Sequence, residues 1–228
     1  MMRSDETGVQ VFRNLLRDAS GEQRGRAAEA LRLAARVTEW RRNQPCGSTI
    51  AGGHVSCVLS GAVRKYSVRS DGHRQIVDLL VTGDFLGLAP MSSSFSLEAV
   101  SNQTRIACFR RGQIAALAEA HPVIASLIEE RAADAIKRLE NHLLVQGRTT
   151  ALDKVGGYLV VMCERMANAE DKALLLPVSR YDIADHLGLA VETVSRTMTA
   201  LSRDGVIAMT SPRHVEIRNP AALADGLL

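Results

Sequence analysis

The chain has 228 residues, of which 46% are hydrophobic, 23% charged and 4% aromatic, which is ordinary for a globular protein of one or two domains. No stretch approaches the ~18 consecutive apolar residues that cross a bilayer, so membrane-spanning classes are excluded. The formal net charge of +3 divides into +5 over residues 1–120, zero over 121–150 and −2 over 151–228, so bulk charge does not identify a nucleic-acid-binding region.

The first 45 residues predict helices. The segments FRNLLRDA (12–19) and AAEALRLAARV (27–37) carry apolar residues at helical spacing, with a break at SGEQRG (20–25). The polar start MMRSDETGVQ lacks the apolar core of a signal peptide. We therefore expect a cytoplasmic protein.

Between about residues 50 and 110 the pattern changes to short β-rich runs. Turn sequences separate these runs at roughly ten-residue intervals: Ser60-Gly61, Ser70-Asp71-Gly72 and Thr82-Gly83-Asp84. Regular short strands with glycine turns predict an antiparallel roll or barrel.

Residues 112–148 predict a long helix with a break at His121-Pro122. Its apolar positions alternate by three and four, as in a coiled-coil seam. The seam consists of Ala125, Ile128, Ala132, Ala135, Leu139 and His142. Four further residues widen the stripe enough to pack on the roll as well: Ile124, Leu127, Ile136 and Leu143. A helix that serves only the core is the alternative, but the stripe is longer than one small roll can cover. We therefore predict a dimer helix with Ile128, Ala132, Ala135 and Leu139 at the contact.

After another helix in LDKVGGYLVVMCERMA, two short helices are predicted between residues 180 and 203. Ser179 and Asp182 have the spacing of a capping box. Ala184 permits close helix crossing, Gly188 allows a turn with positive φ, and Val194 packs the second helix on the first. A hairpin over VIAMTSPRHVEI (206–217) follows. This arrangement predicts a winged helix-turn-helix, with an ordinary helical hairpin as the alternative.

The second helix carries Glu192, Ser195 and Arg196 on the side opposite its apolar residues. In a major groove, Glu192 could accept from a cytosine amino group and Arg196 could donate twice to guanine, with Ser195 on a neighbouring base. We predict that these three residues contact bases.

Five further residues are candidates for contacts to the DNA backbone. Backbone contacts fix the register of a protein on the duplex. The candidates are Arg180, Thr193, Thr199, Arg203 and Arg213. For the three arginines, ordinary solvated charges are the alternative interpretation.

The sequence VETVSR (191–196), preceded by Asp182-Ile183-Ala184 and Gly188-Leu189, closely resembles the recognition motif of the FNR/FixK branch of the CRP/FNR regulators. LSGAV (59–63) and VTGDFLG (81–87) resemble that family's β-roll turns. The resemblance implies an α+β fold with a cyclic-nucleotide-binding-like β-roll over 1–120, a dimerisation helix over 121–148 and a winged helix-turn-helix over 149–228.

The resemblance also implies partners and a role. A homodimer would bind palindromic double-stranded DNA with TTGAT/ATCAA-like half-sites and would contact RNA polymerase. Relatives in this branch regulate genes for low-oxygen respiration, denitrification or nitrogen fixation. One departure lies in the motif, because Ala190 stands where relatives usually carry Thr and cannot cap the helix, which costs about 1 kcal/mol.

The sequence predicts no cofactor and no metal site. From Gln75 to Thr104 there is no Lys or Arg to bind a cyclic nucleotide phosphate. The cysteines are Cys46, Cys57, Cys108 and Cys163, without a CxxC pair. Cys108 resembles the roll cysteine of FNR, but the N-terminal cysteine group is missing, which makes the chain resemble FixK proteins.

Three alternatives remain open from the sequence. The first is a ligand sensor of the same family, holding haem, nitric oxide or a cluster on Cys46, Cys57, Cys108 and one unknown ligand. The second is an interaction module that does not bind DNA, which the −2 charge of residues 151–228 suggests. The third, an enzyme, is disfavoured because no nucleophile–base motif, phosphate loop or metal spacing is present.

Overall fold

A computed structural model describes residues 3–47, 53–90, 92–166 and 173–224. The chain forms two compact units. The N-terminal unit comprises residues 1–67 and 79–137, and the C-terminal unit comprises residues 68–78 and 138–228. Residues 68–78 therefore belong to the C-terminal unit although they lie within the strand-rich part of the sequence.

The elements of the first two thirds of the chain follow the predicted order of helices, strands and helices. They are α1 (Arg3–Leu15), α2 (Gly21–Ala34), β1 (Arg36–Trp40), β2 (His54–Ser60), β3 (Ala62–Val68), β4 (Arg74–Val81), β5 (Phe85–Leu86), β6 (Ser96–Ala99), β7 (Thr104–Arg110), α3 (Arg111–Ala120) and α4 (Pro122–Gln146). The break predicted at His121-Pro122 is confirmed, since α3 ends at Ala120, His121 is extended and α4 begins at Pro122.

The strands form two antiparallel sheets, in the orders β1-β7-β2-β5 and β4-β3-β6. Successive side chains of a strand point to opposite faces of the sheet. On β2, Cys57 therefore joins the core beneath the N-terminal helices, together with Phe12 and Phe109. Its neighbour Val58 joins the core between the sheets, together with Cys108. The predicted antiparallel roll is confirmed.

Strand β1 corrects the expectation that residues 1–45 are helical throughout. Helix α2 ends at Ala34, and Ala35 adopts an extended conformation. Residues 36–40 then pair with β7 from Arg36 opposite Cys108 to Trp40 opposite Thr104. Val37 and Thr38 are β-branched and favour a strand, and pairing with β7 outweighs the helical spacing of the preceding residues.

The C-terminal third forms a helical unit with a small sheet. Its elements are α5 (Ala151–Met166), β8 (Ala173–Leu175), α6 (Arg180–Leu187), α7 (Val191–Arg203), β9 (Ile207–Met209), β10 (His214–Ile217) and α8 (Ala221–Ala224). The predicted hairpin is confirmed as β9 and β10, and β8 adds a third strand in the order β8-β10-β9.

Two adjacent glycines in α5 allow close packing in the C-terminal unit. A Cβ at Gly156 would lie 3.2 Å from the side chain of Leu223, and a Cβ at Gly157 would lie 2.9 Å from the guanidinium of Arg148. The missing side chains let α8 and the loop before α5 approach the helix. Glycine lowers helix stability by about 1 kcal/mol relative to alanine, and this packing offsets that cost.

Among the described residues, no helix is long and apolar enough to cross a membrane.

Replacement of Gly87 by Ala should destabilise the N-terminal unit. Gly87 has φ of +74°, and an added Cβ would overlap the backbone carbonyl oxygen of His54. Left-handed backbone costs a residue with a Cβ roughly 1–2 kcal/mol, and overpacking adds about 1–3 kcal/mol. We expect the free energy of unfolding, measured by urea denaturation, to fall by about 2–5 kcal/mol. Gly72→Ala is the matched control, because Gly72 also has positive φ but an added Cβ meets no atom within 4 Å. Equal losses in the two variants would contradict the assigned clash.

Candidate nucleic-acid interface

Helix α6 begins with the predicted capping box. The backbone N–H of Asp182 donates to Ser179 Oγ at 3.2 Å, and the backbone N–H of Ser179 donates to Asp182 Oδ2 at 3.0 Å. The helix ends at Leu187 and is followed by Gly188, the C-cap residue, which has φ of +64° and ψ of 40°. Beyond it, the N–H of Leu189 bonds the carbonyl of Ala184 at 3.1 Å. The cap and the turn therefore fix both ends of α6 as the sequence indicated.

The inner side of α7 is buried as predicted. Val194 and Met198 are fully buried, and Leu201 is nearly so. Thr197, which the sequence interpretation left out, also lies on this side, and its hydroxyl donates to the carbonyl of Thr193 at 2.9 Å. Because that bond satisfies the hydroxyl, Thr197 can pack with the apolar residues.

The outer side of α7 presents the predicted base-contacting residues to solvent. Glu192 and Arg196 are exposed and Ser195 is partly exposed. Arg196 Nη2 donates to Thr193 Oγ1 at 3.3 Å, and Thr199 Oγ1 donates to the carbonyl of Ser195 at 3.0 Å. Within the described part of the chain, Glu192 and Arg196 are in no salt bridge. The carboxylate and the guanidinium are therefore available to an external partner.

The three arginine candidates for backbone contacts differ in their surroundings. Arg180 is partly buried, its Nη2 lies 3.4 Å from Met209 Sδ, and its Nη1 is buried with no hydrogen-bond partner among the described residues. Burial lowers the pKa of Arg180. Arg203 is exposed and pairs with Asp204 at 3.1 Å, which leaves it less available. Arg213 lies in the turn between β9 and β10 and is partly exposed.

Tyr181 is a surface group near α6 that the sequence interpretation missed. It is 68% exposed at the second residue of the helix, beside Arg180. Ile183 and Ala184 face inward, so the helical period of α6 would have placed Tyr181 outward. Its hydroxyl is a further potential donor to a phosphate.

The start of α7 has no side-chain cap. Ala190 has extended φ and ψ of −70° and 144° and makes no capping hydrogen bond. The first backbone amides of α7 consequently have no side-chain acceptor at the N-cap. This agrees with the prediction from Ala190, which stands where relatives usually carry Thr.

The predicted contact residues of α4 do not share one environment. Leu139 is 45% exposed, Ala132 and Ala135 are partly exposed, and Ile128 packs in part against the core of the N-terminal unit. Ile136 and Leu143 are 60% and 69% exposed. The C-terminal half of the stripe therefore leaves a row of aliphatic side chains open to solvent.

The placement of His142 in the seam is wrong. Its ring stacks on the ring of His186 within the C-terminal unit, with 4.0 Å between ring centroids. The His142 ring therefore packs within its own subunit and not in the predicted seam between two subunits. His186 lies two residues before Gly188 and packs there against the rings of His142 and Tyr158.

The cysteines do not converge. Cys57 lies on the opposite sheet face from Cys46 and Cys108, which share the core between the sheets. Burial raises the pKa of Cys46 to about 12 and also raises that of Cys57. No group of three or more His, Cys, Asp or Glu among the described residues could hold a metal ion. The three thiols proposed as cluster ligands are therefore separated by the sheet.

The described part of the roll holds one deeply buried ion pair. Arg64 Nη2 donates to Glu98 Oε1 at 2.7 Å and to Asn43 Oδ1 at 3.2 Å, with both charged side chains nearly inaccessible. The guanidinium is committed to a carboxylate, so it is not a ready phosphate ligand.

The capped α6, the glycine turn, the packed α7 and the strand hairpin define a winged helix-turn-helix of a DNA-binding transcription regulator. Residues 153–225 match the family model described as a Crp-like helix-turn-helix domain, and residues 49–121 match the one described as a cyclic nucleotide-binding domain.

Similarity to known regulators gives the family. The chain is 39% identical over 167 residues to the nitrogen fixation regulation protein FixK of Rhizobium meliloti (strain 1021), covering 73% of this chain and 74% of the relative. It is 36% identical to the transcriptional activatory protein AadR of Rhodopseudomonas palustris, covering 73% and 70%. The structure of FixK2 from Bradyrhizobium japonicum matches with a TM-score of 0.72 at 32% identity, covering 84% of this chain and 96% of that one. The chain belongs to the CRP/FNR family, in its FixK-like branch, and that family consists of transcription regulators and not enzymes.

Replacement of Ala190 by Ser should stabilise α7. A serine at the N-cap can accept from an open amide of the first turn, which is worth about 1 kcal/mol. We expect the urea midpoint of the C-terminal unit, followed by circular dichroism, to rise accordingly. Ala200→Ser, inside the same helix, is the matched control and should be neutral or destabilising by about 0.5 kcal/mol. If Ala190→Ser gave no gain over the control, the cap would not limit the helix.

Proposed function

We propose that this regulator binds palindromic double-stranded DNA as a homodimer, with TTGAT/ATCAA-like half-sites recognised by α7. The observation that supports this most is the division of α7 into a buried side and an exposed polar side. Glu192, Ser195 and Arg196 lie on the polar side. Among the described residues, neither the carboxylate of Glu192 nor the guanidinium of Arg196 forms a salt bridge. The major groove of B-DNA is wide enough to admit a single α-helix.

The base contacts follow from the donors and acceptors of the three side chains. Arg196 supplies two parallel N–H donors to the O6 and N7 atoms of guanine, and Glu192 accepts from the amino group of cytosine. Glu192 also disfavours non-specific binding, because a carboxylate near DNA is repelled unless it meets a donor. Ser195 contacts a neighbouring base.

The contacts to the DNA backbone involve residues at the edges of the motif. Arg180 is one candidate, but its guanidinium would have to turn outward to reach a phosphate, because its Nη1 is buried and its Nη2 lies against Met209. Thr193, Thr199 and Arg213 complete the set, and Arg203 would first have to leave Asp204. These contacts fix the register of α7 in the groove.

The dimer contact lies on α4. Leu139 is supported by its exposure, Ala132 and Ala135 would allow close approach, and Ile128 lies at the end of the stripe. In such a dimer, a twofold axis relates the two copies of α7, so the DNA site is palindromic. The centres of its half-sites are about one DNA turn apart. In this division, residues 1–120 act as the sensor-like domain, 121–148 as the dimer helix and 149–228 as the DNA-binding domain.

The regulated process is inferred from the relatives. The name of FixK refers to nitrogen fixation and that of AadR to transcriptional activation, so we propose control of low-oxygen respiration, denitrification or nitrogen-fixation genes through RNA polymerase. The protein would act without its own iron–sulfur cluster. A haem or iron–sulfur sensor would instead give a visible absorption band in anaerobically purified protein, and a colourless protein that binds its site would rule it out.

The first test of the proposed function is DNA discrimination. We expect a TTGAT–ATCAA duplex to bind at least several-fold more tightly than a scrambled duplex in a gel-shift titration at fixed salt. Arg196→Ala and Glu192→Ala should each lose about 1–3 kcal/mol of binding free energy to the specific duplex. Arg196→Lys is the matched control because it keeps the charge but loses the paired donors. A dimer that binds both duplexes equally would contradict the proposed half-sites, and a dimer that binds neither would support the interaction-module alternative.

The second test concerns the dimer contact. Leu139→Glu should shift the protein to monomer in sedimentation-velocity ultracentrifugation, because a carboxylate would be buried between the two helices. Lys137→Glu is the control, since Lys137 is exposed on the opposite side of α4 and should leave the dimer intact. A dimeric Leu139→Glu protein would refute this surface.

A further inference from the structure

The last turn of α6 is held by side chains from two other elements of the C-terminal unit. His186 Nδ1 lies 3.1 Å from the carbonyl oxygen of Ile76 in β4. The backbone carbonyl of His186 accepts from Gln146 Nε2, at the end of α4, and from Gln75 Nε2 at 3.4 Å. One residue thus joins α6 to both β4 and α4.

The same residue is the centre of an aromatic stack. The His142 ring of α4 lies 4.0 Å from the His186 ring at 23°, and the Tyr158 ring of α5 meets His186 at 5.8 Å and 66°. His142 Nδ1 and the Tyr158 hydroxyl are buried with no hydrogen-bond partner among the described residues. Two imidazoles in such contact are stable together only while both are neutral, because neighbouring charges repel and burial penalises each charge.

The acidic groups around the stack already bond arginines. Asp78 of β4, which faces His142, lies 3.4 Å from Arg138 of α4. Arg74 of β4 holds Asp185 at 2.6 Å and Asp182 at 3.5 Å. The other charged or titratable groups facing the stack are Tyr158 and Arg165 of α5. A protonated imidazole would therefore meet an additional cation, Arg165, and carboxylates that are already paired.

The pKa values of both histidines agree with this geometry. Burial, with His142 next to it, lowers the pKa of His186 to about 3. Burial also lowers the pKa of His142, although Asp78 opposes that change. When α6 separates from the stack, each imidazole regains its ordinary pKa of about 6.5. The separated state therefore binds more protons below pH 6.5, so the stack is fully stable above that pH and weakens as the pH falls towards 3.

We propose that His142 and His186 are positioning residues for DNA recognition, which hold α6 in place as a neutral stacked pair at neutral pH and release it on acidification. The inference deepens the proposed function, because α6 supports α7 directly across Gly188. Gln146 Oε1 lies 3.6 Å from where a Cβ of Gly188 would stand, so the contacts that hold His186 also border the turn between the two helices.

The experiment measures release of α6 without DNA. Hydrogen–deuterium exchange of the α6 amides is followed on the whole protein at pH 7.5 and 5.5, after correction for the intrinsic pH dependence of exchange. Each imidazole with an ordinary pKa of about 6.5 in the released state can raise the opening equilibrium up to about 10-fold over this range, so the wild-type pair should raise it by more than 10-fold. Wild-type protection of α6 that is independent of pH would overturn the proposal without the need for any variant.

Two variants assign the effect to the stack. His142→Phe keeps an aromatic ring, removes an unsatisfied buried nitrogen and cannot be protonated, so it should keep the protection at pH 7.5 and reduce the pH effect several-fold. His73→Gln is the matched control, because the His73 side chain is 83% exposed, pairs with Asp71 and is not one of the stacked rings. It should leave the pH effect unchanged. An unaltered pH effect in His142→Phe would overturn the role of the pair.

Affinity for the TTGAT–ATCAA duplex, measured on the same samples, separates this inference from the proposed function. Wild-type affinity should fall more between pH 7.5 and 5.5 than that of His142→Phe. If α6 opens as expected but affinity falls equally in both proteins, the positioning role in recognition is overturned. If the exchange results hold but the duplex is not discriminated at pH 7.5, the stack is supported and the proposed DNA site fails.

Discussion

The packing of α7 on α6 across Gly188 is the contact on which the DNA-binding part of this protein depends. Val194 and Met198 are fully buried there, and this fixes the rotation of α7 about its axis. Because one side of the helix is committed to the protein, Glu192, Ser195 and Arg196 must lie together on the other side. The same contact therefore stabilises the domain and presents the surface proposed to recognise DNA, so a loss of this packing should also weaken the proposed recognition.

Helix α4 serves different neighbours along its length. Ile124 and Leu127 belong to the core of the N-terminal unit, while Val145 is buried near the other end. Between them, Ile136 and Leu139 remain open to solvent. Exposed aliphatic rows of this kind stabilise a protein when a second surface covers them. In the proposed dimer, the second subunit covers these side chains. The stripe lies on the same helix as the residues of α4 that hold α6.

The polar interior groups suggest how such a fold could respond to conditions without a bound cofactor. Arg64 and Glu98 form a buried pair within the roll, and breaking such a pair is costly because one charge would remain uncompensated. The imidazole pair of His142 and His186 differs, since each imidazole that leaves the stack can bind a proton below about pH 6.5. The first arrangement is static, whereas the second is sensitive to its surroundings, so regulation by this chain is better sought near α6 than near Arg64.

The sequence by itself determined the elements whose local rules are strong. The capping box at Ser179, the turn at Gly188 and the period of α7 need only neighbouring residues, and the roll was indicated by regularly spaced glycine turns. It did not determine β1, because the residues after α2 become a strand only by pairing with β7. Nor did it place His142 against His186 or Arg74 against Asp185, which lie 44 and 111 residues apart in the chain. Helical spacing specifies which side of a helix a residue occupies, but only the tertiary structure decides which neighbour meets that side.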